Sequence, residues 1–126
     1  MSKSLWGDLA PETLDTPVRL LKEQGTVLTQ MTRGVLVCEV SPRPGSDAYA
    51  FIHDLVIRVP SLNNYHITLV TIFQPLKIYP TRLLDRVLGR SQECPDYAAF
   101  STALEKVLGG TEIKQAVASL LAQAKG

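Results

Sequence analysis

The sequence predicts an α+β fold: an antiparallel four-stranded meander sheet packed on one face by an N-terminal helix and two C-terminal helices. Three observations predict it. Apolar residues recur at helical spacing after residue 16 and again over the last third of the chain. Runs rich in β-branched and aromatic residues lie between these stretches. Those runs follow one another across short links, which favours antiparallel neighbours with the helices gathered on one face. The 126 residues amount to one domain, and 45% hydrophobic against 20% charged residues exclude a disordered chain.

Residues 1–15 are polar and read as an extended arm, with Leu5, Trp6, Leu9 and Leu14 as anchors and the sole Trp packing on the body or on a partner. The first helix spans 17–32. Thr16 suits the N-cap, and Pro17 suits the first helical position, where no intrahelical N–H bond is lost. Val18, Leu21, Gly25, Leu28 and Thr32 form one stripe. Gly25 costs about 1 kcal/mol relative to Ala in a helix, and its place in the stripe points to close approach of another element. Gly34 is the stop signal.

The β-branched run VLVCEVS at 35–41 reads as a strand, followed by a loop with two prolines and a glycine. Residues 48–59 form the next strand, with Tyr49, Phe51, His53, Leu55, Ile57 and Val59 on its core face. After the turn at SLNN, residues 65–74 form a third strand, apolar on both sides and therefore central. Two readings stand for 76–90. The favoured one is a fourth strand at a sheet edge, where Pro80 is tolerated. The other is a helix over 81–88, stopped by Gly89. Asp96 caps a helix running to Leu108, Gly109 and Gly110 break it, and Thr111 caps a last helix with Ile113, Val117, Leu120, Leu121 and Ala124 turned inward.

Charge and motifs exclude more than they indicate. Thirteen Lys and Arg against twelve Asp and Glu leave a formal charge of +1, which demands neither nucleic acid nor an acidic membrane as partner. No apolar run approaches a membrane span, and no apolar stretch follows Lys3, so a cytoplasmic setting with reduced thiols is expected. Cys38 reads as a small buried hydrophobe, and Cys94 as a residue of a loop-to-helix junction. No phosphate-binding glycine loop is present, and no cofactor is expected. His53 and His66 are the only histidines. Hairpin register separates them by roughly 13 Å and parity sets them on opposite faces unless a bulge intervenes, so no shared metal is expected. No nucleophile meets a base, and no catalytic residue is assigned.

Three binding classes remain. A protein-interaction module, self-associating as a homo-oligomer, would use a sheet edge, the Trp6 arm, or the sticky C-terminal end at Leu120 and Leu121. A small-ligand binder would use Tyr49, His53 and Tyr65 as an aromatic pocket for a nucleotide-like ligand. A phosphate or nucleic-acid binder would use Lys77, Arg82, Arg86 and Arg90, of which the three arginines would stack at i, i+4, i+8 if the segment were helical. The interaction module is the preferred expectation.

Overall fold

The structure, a computed structural model, describes residues 5–7 and 15–126. Helix α1 (Pro17–Met31) leads into β1 (Val37–Arg43), β2 (Phe51–Val59), β3 (Tyr65–Gln74), β4 (Thr81–Asp85) and β5 (Arg90–Cys94). Helices α2 (Tyr97–Leu108) and α3 (Thr111–Lys125) follow, and a 3-10 turn at Pro60–Leu62 joins β2 to β3. The strands lie in chain order in one antiparallel sheet, and the helices pack on one of its faces. The fold class is the expected α+β. The expected arm lies outside the described residues apart from 5–7 and Asp15.

The sheet has five strands rather than four. The segment after Pro80 is extended, as the favoured reading had it, and then doubles back. The Asp85 carboxylate accepts the N–H groups of Val87 at 2.9 Å and Leu88 at 3.1 Å. Gly89, at φ +73°, takes the left-handed conformation that closes the turn. An 81–88 helix is thereby excluded, and Cys94 closes β5 instead of standing in a loop.

The helices start and stop for local reasons. Thr16 Oγ1 accepts the Arg19 N–H and Asp96 Oδ1 accepts the Ala99 N–H, as N-caps do. Helix α3 begins instead at Gly110, with no side-chain cap bond, so Thr111 is its first residue and not its cap. At the end of α1, Thr32 Oγ1 accepts the Leu36 N–H, and Arg33 and Gly34 take positive φ.

The core lies between the helices and one side of the sheet. Leu21 of α1, Phe100 and Leu104 of α2, and Ile113 and Leu120 of α3 cover Leu55, Ile57, Val59, Val70, Ile72 and Leu83. Register slips by one residue between Leu55 and Val56, because Leu55 opposes Val70 while Val56 opposes Thr68. Leu69 is the extra residue of this bulge. It joins its neighbour Val70 in the core, and Leu69 through Ile72 are consecutively buried.

Helix α1 crosses β1 with almost no clearance. A Cβ on Gly25 would stand 2.8 Å from the Cys38 carbonyl oxygen. One turn later, Thr29 Oγ1 accepts the Cys38 N–H at 2.9 Å and donates to the Gly25 carbonyl at 3.0 Å. Gly25→Ala therefore sets a gain in helix propensity of about 1 kcal/mol against overpacking of about 1–3 kcal/mol on backbone that cannot rotate away. The expected outcome is a net loss of about 1 kcal/mol, read as a lower midpoint in urea unfolding with unchanged slope.

Candidate functional site

The two edges of the sheet differ, and hydrogen-bond alternation shows how. In β1 the Cys38 N–H points away from β2, toward Thr29, so Val40 and Pro42 point outward as well. Thr29 takes the first of these donors, Gly25 lies against the Cys38 carbonyl, and Pro42 has no N–H. Helix α1 and a proline thus leave Val40 as the one outward N–H of this edge that nothing bonds among the described residues.

The other edge is open. The Arg86 N–H donates to the Leu69 carbonyl of β3, so the next polar pair along β4, that of Asp85, points to β5. Asp85 opposes Arg90, hence Arg90, Gln92 and Cys94 bond inward to β4, while Ser91 and Glu93 present their N–H and C=O groups outward. Among the described residues no backbone or side-chain group bonds these outward groups. Arg90, Ser91, Gln92 and Glu93 are all exposed.

The sheet face away from the helices carries a polar network. Asp54 accepts Arg43 Nε at 2.9 Å and Thr71 Oγ1 at 2.6 Å, and Thr71 is fully buried. Arg58 pairs with Glu39 at 3.3 Å and donates to Asn64 Oδ1 at 3.3 Å. Tyr49 tilts against Phe73 with ring centroids 5.3 Å apart. This pair, with Arg82, Leu84 and Ser91, lines a hollow of about 150 Å³, smaller than the roughly 300 Å³ at which ligand pockets begin.

The residues singled out from the sequence are largely dispersed. His53 points to the helix-covered face, opposite Ile72, whereas Tyr49 packs on Phe73 of the other face. Tyr65 opposes Val59 at the far end of the hairpin, six residues or roughly 20 Å from His53 along β2. Tyr49, His53 and Tyr65 therefore do not line one pocket. Lys77 follows β3 in a turn, Arg82 is on the uncovered face, Arg86 is in the β4–β5 turn, and Arg90 is on the helix side of β5. The expected arginine stack needed a helix that the chain does not form. Leu120 belongs to the core and Leu121 packs against it, so the C-terminal leucines cover this chain's own sheet. Trp6 is 80% exposed. What the structure does bring together is Tyr49 with Arg82, across Phe73.

His53 and His66 stand on opposite faces because of the bulge, the reverse of the expectation that parity would separate them unless a bulge intervened. Residues 66 and 72 have the same parity, so an unbroken β3 would have put His66 on the side of Ile72 and His53. Among the described residues no group of three or more metal-ligating side chains exists. Both cysteines are free and buried, at opposite edges of the sheet. Burial, with Glu39 beside it, pushes the Cys38 thiol up to about 12, and burial and Asp96 push Cys94 up. Thiols held protonated are poor nucleophiles. Sequence reasoning missed the open edge because it depends on which way the backbone of β5 points. The signals available were the turn residues Asp85 and Gly89, since RSQEC itself carries no apolar alternation to mark a strand.

His53 gives a pH test. Its Nδ1 is buried without a partner, and burial first, then Lys22 of α1, lowers its pKa from 6.5, while Asp54 opposes the shift. Above pH 6.5 the imidazole is neutral in both folded and unfolded chains. Below it the unfolded chain takes up the proton first, so stability falls between 6.5 and the lower folded pKa. Thermal melts at pH 7 and 5 should show His53→Leu losing less on acidification than the wild type, by up to about one proton's slope. Equal losses would remove His53 from the account. No family model, curated protein or solved structure matches this chain.

Proposed function

We propose that this chain is a protein-interaction module that self-associates by pairing β5 with β5 of a second copy. The observation that supports it is the contrast between the edges: α1 and Pro42 leave β1 only the Val40 N–H, and β5 offers the outward groups of both Ser91 and Glu93. An exposed strand edge is a template for further strand pairing.

Pairing all five residues antiparallel about a two-fold axis requires the axis at Gln92. Ser91 of each copy then opposes Glu93 of the other, which gives about four inter-chain hydrogen bonds. Arg90 opposes Cys94 and Gln92 opposes itself, so no like charges meet. Helix α2 lies over both β4 and β5, so β5 pairing brings the α2 of the second copy to the same face of the joined sheet. An interface of this modest size gives weak, concentration-dependent dimers.

Ser91→Pro is the test. Its N–H points outward, so proline removes an inter-chain donor without breaking the β4–β5 ladder. By sedimentation at high micromolar concentration, the wild type should run as a dimer, and Ser91→Pro as a folded monomer with the wild-type circular dichroism spectrum. A monomeric wild type, or a variant that stays dimeric, overturns the β5 assignment.

A further inference from the structure

A cleft of about 360 Å³ opens between the β4–β5 hairpin and the junction of α2 with α3. Its size falls within the range of small-molecule sites. Leu83, Ala103, Val107 and Ile113 give it apolar walls. Its charged groups are of both signs and are not neutralised by one another.

Asp85 is the buried one, at 5% exposure. Its Oδ1 is held by the N–H groups of Val87 and Leu88, while among the described residues Oδ2 accepts no hydrogen bond. Only Oδ1 is engaged by the turn, and Asp85 makes no ion pair with Arg90, its direct cross-strand neighbour. Arg90 is thereby left with an unmatched guanidinium on the cleft wall. Lys106 of α2 also lines the cleft and has no ion-pair partner among the described residues. Glu112, in the first turn of α3, adds a second carboxylate.

From these placements we infer that the cleft binds a free amino acid with an apolar side chain, its ammonium on Asp85 and its carboxylate between Arg90 and Lys106. A carboxylate with one oxygen still open to solvent can accept from a cationic donor, and charge-assisted bonds of this kind are the strong ones. An anion alone would be attracted by Arg90 and Lys106 but repelled by Asp85 and Glu112. A zwitterion meets both sets, and its side chain takes the apolar wall. Every group in this inference belongs to one chain, so it stands on the monomer whether or not β5 pairs.

The experiment is a thermal shift titration with L-leucine, N-acetyl-L-leucine, L-leucinamide and inorganic phosphate, each at millimolar concentration. Leucine should raise the melting temperature by a few degrees through preferential binding to the folded chain. Each of the other three lacks one charge or the apolar group and should shift it little. Arg90→Gln and Lys106→Gln, both at exposed positions, should each weaken leucine binding about tenfold while leaving the unliganded melting temperature unchanged. A shift by phosphate or N-acetyl-leucine equal to that by leucine would make this a simple anion site and overturn the inference. So would the absence of any shift with leucine, or variants that bind it as the wild type does.

Discussion

The contact between Gly25 and the Cys38 carbonyl governs much of this architecture. It lets α1 lie directly on β1, and Thr29, one turn further on, ties the two elements together through the Cys38 N–H. A glycine inside a helix is unfavourable by itself, so its presence is explained by what the missing side chain permits. With α1 seated there, Leu21 reaches the core and one border of the sheet keeps only the Val40 N–H as an outward donor unbonded among the described residues. The remaining elements follow as a meander, and the last strand is left with nothing beside it.

The two faces of the sheet solve different problems. The helix-covered face is apolar at its centre and polar toward β5, and two of its polar atoms, His53 Nδ1 and Gln74 Oε1, are buried without partners. The other face has no layer of helices over it, and it keeps its central polar groups satisfied with its own side chains. Asp54 is matched by Arg43 and Thr71, and Glu39 by Arg58. Each face is therefore stable for its own reason, and the β5 border presents the N–H groups of Ser91 and Glu93 where the β1 border presents only that of Val40.

Most of the fold was legible in the sequence. Helical stripes at Leu21 and Gly25 and at Phe100 and Leu104, the Thr16 and Asp96 caps, and the alternation of β2 all report local preferences that the packing respects. The limits of β3 agree with the expected 65–74 for the same reason. Less legible was anything set by a single inserted residue or by a reversal of direction. The extra residue Leu69 changes which side His66 faces, and no local pattern announces it. The turn at 86–89 converts what reads as an i, i+4, i+8 arginine series into three residues with three different outlooks. Site residues were therefore harder to foresee than core residues. A core position needs only the right side chain on the right stripe, whereas a site needs several elements to meet. Asp85, Lys106 and Glu112 come from a strand, a helix and another helix, and nothing in their spacing links them.

The placement of the cysteines has one more consequence. Cys38 sits on the first strand and Cys94 on the last, each shielded from reagent while its strand is in place. Alkylation can reach either sulfur only when that border of the sheet frays. The chain thus carries a native reporter of local opening at each flank, so that the relative labelling speed of the two thiols compares how often the α1-clasped border and the bare one come apart.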